Sequence, residues 1–321
     1  MKRIIITGGT GFVGANLARH LLRRGHEVHL LVRPRCQHWR IEEIRTAVQC
    51  HEVNLADTAG LAQFVRQVRP EWIFHLAAHG AYSWQTDTDQ IVQTNVIGTI
   101  HLLNACADNG FEAFIHTGSS SEYGFKDHSP AEEELIEPNS CYAVTKAAAT
   151  LFCRHVARAR NLNITTLRLY SAYGPYEDPK RLIPALIHKG LQGELPPLVD
   201  PNTPHDFVHV EDVCDACLLA AQTPPRQFGA VYNVGTGVQT TLREVVEVAR
   251  RVMGIAAEAE WGSMPAREWD TAVWVADSRK ISAELGWKAR LNFERGFQSL
   301  VEWQRPRSFG SVQQETNQQQ G

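Results

Sequence analysis

Ile4–Thr7 is a short apolar run that ends in glycines, and Phe12–Arg24 behind it carries its apolar residues at helical spacing. Val28–Val32 is strand-like again. Further β-rich runs recur at Cys50–Val53, Trp72–Leu76, Phe114–Thr117 and Ile164–Leu169. Helical spacing separates them over Thr58–Val68, Asp89–Asp108 and Cys141–Arg160. Nearly all-apolar strands alternating with helices predict a parallel sheet covered on both faces. Beyond about Tyr173 the alternation loosens, and prolines crowd the stretch from Pro175 to Pro204. That stretch reads as loops and short elements of a smaller lobe. Ala230–Val234 looks like a strand returning to the sheet, and Leu242–Met253 like a helix.

Composition narrows the class. A length of 321 residues suits about two domains. The net charge of −3 excludes an extended basic surface, so no nucleic-acid partner is expected. With 43% hydrophobic and 21% charged residues, most of the chain has material for a core. The exception is SFGSVQQETNQQQG, which has little to bury and is expected to be a disordered tail. Apolar runs are only strand-sized, so no membrane span is expected, and the N-terminus is too poor in apolar residues for a signal peptide. Seven cysteines, an odd count, suit a reducing cytoplasm. Cys214 and Cys217 lie in VEDVCDACLLAA, an amphipathic helix, where both thiols should face the core. No second Cys/His pair stands nearby, so no metal site is expected.

Gly8-Gly9-Thr10-Gly11-Phe12-Val13-Gly14 joins the first strand to the first helix. Gly8 permits the tight turn, Gly11 lets backbone approach a pyrophosphate, and Gly14 lets helix pack on strand. The helix start supplies free N–H groups. Gly8, Thr10, Gly11, Phe12, Val13 and Gly14 are therefore candidate dinucleotide contacts, and the expected fold is α/β, a Rossmann-type doubly wound parallel sheet. Where an acidic residue would bind the ribose diol of NAD, the sequence has Val32 followed by Arg33. A guanidinium there suits a 2′-phosphate, which favours NADP(H), with NAD(H) the alternative. Asn54 and Leu55, after the third strand, should flank the adenine. Leu76, Ala77 and Ala78, ending the fourth, would let a nicotinamide ribose approach.

Tyr142 and Lys146, spaced by four at the start of a predicted helix, share one face. An ammonium there favours the phenolate and makes proton exchange feasible. Ser119 ends a strand at the sheet edge where ligands bind, and would hydrogen-bond the substrate oxygen that Tyr142 protonates or deprotonates.

With these motifs in order, the chain resembles the extended short-chain dehydrogenase/reductases of the nucleotide-sugar epimerase/dehydratase/reductase group. The resemblance covers about residues 2–304 through TGGTGFVG, HLAA, TNVIGT, SSSEYG, YAVTK, LRLYSAYGP, DFVHVEDV and the Arg267…Asp277…LGW end. It implies a catalytic Ser119, Tyr142 and Lys146, a cofactor contact at Tyr170, a substrate contact at Ser171, and hydride transfer at a sugar carbon, usually C4. It also implies a homodimer through the helices around Thr88–Asp108 and from Tyr142. Dehydratases of the group follow the serine or threonine with an acid/base pair, Asp-Glu or a lone Glu. Those positions hold Ser120 and Ser121 here, and Glu122, one residue late, should point the other way. Elimination is thus disfavoured, and Ser120 and Ser121 become candidate substrate contacts. Epimerase-reductases of the group carry a cysteine where Ser121 stands.

His205 replaces the arginine that usually precedes Asp-Phe before the Val-x-Asp-Val helix. Arg267 is the expected diphosphate contact, with Arg181 and Lys189 as helpers. His79, Tyr82, Ser83 and Trp84 follow HLAA in a loop that could overhang a sugar. The expected division is a dinucleotide-binding domain over 1–173 joined by 205–236, a smaller C-terminal α/β substrate lobe over 174–204 and 237–305, and a tail over 306–321. The expected activity is an NADP(H)-dependent reductase of a nucleotide-linked 4-keto sugar, cytoplasmic, with Tyr142 as general acid. A 4-epimerase is the alternative, and a non-catalytic dinucleotide sensor the reading from another class.

Overall fold

The computed structural model describes residues 1–263 and 271–305. Its first half follows the predicted alternation. β1 (Arg3–Thr7) leads through the glycine loop into α1 (Phe12–Leu22), followed by β2 (Glu27–Val32) and β3 (Gln49–Glu52). Then come α2 (Thr58–Val68), β4 (Trp72–His75) and α3 (Thr88–Val92). A π-helical turn over Gln93–Ile97 carries α3 into α4 (Gly98–Asn109). β5 (Ala113–Ser119) ends in a 3-10 turn over Ser120–Tyr123. α5 (Cys141–Arg160) covers the range expected from its spacing, and β6 (Ile164–Leu169) follows.

The second half has shorter pieces. They are β7 (Ser171–Tyr173), α6 (Leu182–Gly190), β8 (Pro204–His205), β9 (Phe207–His209) and α7 (Val210–Gln222). Then come β10 (Val231–Val234), β11 (Thr240–Thr241), α8 (Leu242–Met253), α9 (Arg279–Leu285) and α10 (Phe293–Gln304). α6 is one of the short elements expected in the proline-rich stretch, and Pro184 falls in its first turn, where its missing N–H costs nothing.

The main sheet has seven strands in the order β10-β6-β5-β4-β1-β2-β3, all parallel. β10 returns beside β6 as its composition predicted. Strand order reverses at β1, so β1 and β4 flank the crevice where ligands of such sheets bind. Ile4 and Ile6 join the core with Leu17, Phe74 and Cys214, and Ile5 joins the opposite one with Leu61, Ile73 and Leu102. Both faces of β1 are therefore buried, which is why it reads as an unbroken apolar run, whereas the edge strand β3, QCHE, is partly exposed. A third core holds Tyr173, Leu186, Phe207, Val246 and Phe297. Cys214 and Cys217 are both fully buried and free, as expected of packing residues. Among the described residues no helix is long and apolar enough to cross a membrane. The tail over 306–321 lies outside the described residues.

Candidate active site

The glycine loop is built around absent side chains. Gly8 has φ +69°, and a Cβ there would come within 2.8 Å of the Ala77 nitrogen. A Cβ at Gly14 would fall far inside contact with the Gly8 carbonyl oxygen and 2.9 Å from the Gly9 Cα. The turn closes through Gly11 N–H donating to the Gly8 carbonyl at 2.9 Å. No side chain caps α1, and its first turn holds no acidic residue. Bare amides and an uncompensated helix start are what a pyrophosphate requires, so a nicotinamide dinucleotide fits this cradle. Thr10, Phe12 and Val13 complete the loop and are partly exposed.

The neighbouring strand ends close the crevice. Arg33 stands exposed beyond β2. Asn54 is exposed after β3, and its Oδ1 accepts from Ala56 N–H at 3.0 Å. Leu55 packs against Gly98 and is held through its carbonyl by His101. Beyond β4, Leu76, Ala77 and Ala78 run past Gly8, and Ala77 N–H donates to Thr7 Oγ1 at 3.2 Å. Beneath them lies a buried chain of hydrogen bonds. Thr99 Oγ1 donates to the Asn95 carbonyl at 2.6 Å, so it accepts from His75 Nε2–H at 2.8 Å. His75 Nδ1 then accepts from Thr7 at 2.6 Å, and burial pulls the imidazole down to about 3, leaving it neutral. Asn95 Oδ1 accepts from His79 N–H, and its amide donates to the His79 carbonyl and to Thr145 in α5. His79 thus belongs to the wall between the β4 loop and the helix that carries Tyr142. Spacing did not reveal this role for Asn95, because the π-helical turn shifts which side chains share a face.

Ser119 and Tyr142 meet. Ser119 caps the 3-10 turn, accepts from Ser121 N–H at 3.2 Å and has its hydroxyl 2.7 Å from that of Ser121. Tyr142 occupies the first turn of α5, which Ser140 caps by accepting from Ala143 N–H. Burial pushes the Tyr142 hydroxyl up to about 12, against a lowering hydrogen bond from Ser119. Spacing suggested a lowering by Lys146, but burial dominates and the leading neighbours of the phenol are Ser119, Glu122, Arg181 and Tyr82. Lys146, one turn on, is 2% exposed. Burial lowers its ammonium to about 8, opposed mainly by Glu122.

The sequence profile of the NAD dependent epimerase/dehydratase family matches residues 4–235, which include this loop and this trio. The chain belongs to the NAD dependent epimerase/dehydratase family. It is 29% identical to the UDP-glucose 4-epimerase of Mycolicibacterium smegmatis, over 95% of this chain and 99% of the relative. It is 27% identical to a dTDP-glucose 4,6-dehydratase of Neisseria meningitidis, over 94% of this chain and 93% of the relative. Among solved structures it superposes with TM-score 0.84 on the Thermus thermophilus UDP-glucose 4-epimerase in complex with NAD. That match has 28% identity and covers 94% of this chain and 99% of the other.

Within this family member, the side opposite the glycine loop is set by β6, β7 and β8. Tyr170 is buried edge-on to Trp274, with ring centroids 6.3 Å apart, and both line a small cavity with Ser120 and Tyr123. Ser171 and His205 stand together, with Oγ and Nδ1 3.2 Å apart. His205 is fixed by its neighbour Asp206, whose buried carboxylate accepts from Thr236 N–H, Gly237 N–H and Ala276 N–H at 2.7–3.0 Å. Arg267 lies outside the described residues. Lys189 pairs with Glu194 at the far end of α6 from Arg181, so it does not join the site.

Over the crevice, Tyr82 and Trp84 stack with centroids 4.6 Å apart, and Arg181 and Lys180 lie over their rings. Ser83, between them, is exposed. Arg181 and Tyr82 both act electrostatically on Tyr142, so this cap belongs to the site. Beneath it, Glu177 is buried with Oε2 unpartnered, 3.6 Å from Arg181 through Oε1, and burial pushes it up to about 8. A carboxyl whose folded pKa is raised takes up a proton on folding. Its cost is therefore absent below the ordinary glutamate value of about 4.5 and grows as pH rises toward 8. Glu177→Gln is expected to raise stability at pH 8 by a few kcal/mol and leave it unchanged near pH 4. Thermal unfolding of both proteins across that range measures it.

Proposed function

We propose that this protein transfers hydride at C4 of a nucleoside-diphosphate-linked hexose without expelling water, and acts as a 4-epimerase. The observation that carries the reading is the placement of the carboxylate. Ser120 and Ser121 occupy the positions where dehydratases keep their acid/base residues, and neither hydroxyl can serve elimination at neutral pH. The adjacent Glu122 is fully buried against Arg168, with Nε 2.9 Å from Oε2. Full-length likeness extends alike to 4-epimerases and to 4,6-dehydratases, so the choice rests on these positions.

A bound nicotinamide dinucleotide supplies the hydride acceptor and donor. Tyr142 removes the proton from the sugar O4 during oxidation and returns it during reduction. Ser119 hydrogen-bonds the same oxygen and sets its position. Lys146, charged below about pH 8, balances the negative charge that forms on the phenol. The epimer forms when the 4-keto sugar receives hydride on its other face. Ser171 and His205 face the diphosphate, with Arg267 as the cation that neutralises it.

A second reading, net reduction of a 4-keto sugar with NADP(H), is favoured by Arg33 where an acidic residue would bind an NAD ribose. Arg33→Ala is expected to weaken NADP(H) binding by about tenfold and leave NAD(H) binding within about twofold. Fluorescence titration of both reduced dinucleotides measures this. The two activities separate in one assay without added cofactor: the epimerase interconverts sugars with no net oxidation of reduced dinucleotide. Seven free cysteines suit a cytoplasmic setting. Val144 and Leu151, 51% and 52% exposed on the outer face of α5, suit a homodimer through that helix.

A further inference from the structure

We propose that the buried Glu122–Arg168 pair is the positioning element of the site, holding Ser119 where its hydroxyl meets the reacting oxygen. The inference rests on the hydride-transfer reading above. Glu122 Oε1 accepts from Ser119 N–H at 2.8 Å and from Thr150 Oγ1–H at 3.0 Å. Its other oxygen accepts from Arg168 Nε–H at 2.9 Å. The guanidinium is fixed in turn, because Nη1 donates to the Glu132 carbonyl and the plane lies 4.5 Å over the Tyr123 ring. Glu122 and Arg168 are 0% and 1% exposed, so water screens neither charge.

One carboxylate thus ties three elements together at the catalytic serine: the end of β5, α5 through Thr150, and β6 through Arg168. Ser119 and Glu122 close a reciprocal capping box, which leaves the Ser119 backbone a single orientation. Gly118 makes the approach possible, since a Cβ there would stand 2.6 Å from Glu122 Oε1. A buried ion pair is a poor source of stability compared with apolar packing, which points to a role in geometry. The carboxylate also reaches the two groups that move charge. Around Lys146 stand Glu122 from the β5 turn, Cys153 from α5, His75 from β4 and His116 from β5. The histidines are neutral, with His75 at about 3 and His116 pulled well below its ordinary value, and burial pushes the Cys153 thiol up to about 12. Glu122 is therefore the anion that keeps Lys146 protonated.

The test uses Glu122→Gln, which keeps shape and loses charge, and the double variant Glu122→Met/Arg168→Leu, which removes both charges and keeps volume. Each is assayed on a nucleotide sugar the wild type turns over, with dinucleotide affinity measured separately. The expected result is a kcat about tenfold to a hundredfold lower with KM within about twofold. The alkaline limb of the kcat profile should also move to lower pH. In a Ser119→Ala background the loss of kcat well below the alkaline limb should largely vanish, because that part acts through the serine, while the shift of the limb, which acts through Lys146, should remain. A folded double variant with wild-type kcat and an unmoved limb would overturn the proposal. Failure of both variants to fold would overturn it too, since the pair would then serve folding alone. Absence of wild-type turnover on any nucleotide sugar would count against the functional reading instead.

Discussion

Tyr142→Phe is expected to lower turnover by roughly a hundredfold to ten-thousandfold while dinucleotide affinity stays within about twofold. The substitution removes one oxygen and keeps the ring, which is partly buried in the first turn of α5. Three of the described neighbours do not replace that oxygen as a proton carrier. Ser119 is a poor acid, the His75 imidazole is buried in a closed chain with Thr7 and Thr99, and Glu122 is turned away to Arg168. With burial holding the Tyr142 hydroxyl at about 12, it is the proton donor of the reductive half, and removal of the O4 proton in the oxidative half requires a bound cation to bring that value down. Single-turnover kinetics and a dinucleotide titration on the same preparation separate chemistry from binding. Wild-type turnover in the variant would remove Tyr142 from the chemistry.

Gly14→Ala should abolish dinucleotide binding, raising Kd by about a hundredfold or more. The new methyl group would overlap the Gly8 carbonyl oxygen and lie 2.8 Å from the Gly8 carbonyl carbon and 2.9 Å from the Gly9 Cα. All three are backbone atoms of the loop, so no side chain can rotate away. Either α1 moves off β1 or the turn opens and the bond from Gly11 N–H to the Gly8 carbonyl is lost. Both outcomes spoil the row of amides a pyrophosphate meets. The loss corresponds to about 3 kcal/mol of binding free energy. Overpacking adds about 1–3 kcal/mol of destabilisation, visible as a lower Tm without ligand. Unchanged Kd would mean the cradle tolerates a side chain and that the loop has another role.

What was legible in the chain was local. The glycine spacing, the apolar runs of β1 to β6 and the face shared by Tyr142 and Lys146 depend on neighbours within one turn or one strand. The π-helical turn at Asn95 and the proline in the first turn of α6 broke the ordinary spacing, so both hid what they carry. Pairings across the fold were not legible. The expectation that Glu122 points away from the substrate presumed strand alternation, whereas Glu122 lies in a 3-10 turn and is turned by Arg168, 46 residues on and on another strand. Ser171 and His205 are 34 residues apart and meet because β7 pairs with β9, which follows directly on β8. The preference for a phosphorylated dinucleotide rested on one exposed arginine, whereas the Thermus thermophilus relative on which the chain superposes is in complex with NAD.

The most direct test of hydride transfer without elimination is the product itself. The purified protein is incubated with UDP-glucose and with dTDP-glucose, and the nucleotide sugars are analysed by mass spectrometry and NMR. A product of unchanged mass with inverted configuration at C4 is expected. A product lighter by one water, carrying a 4-keto-6-deoxy sugar, would contradict it.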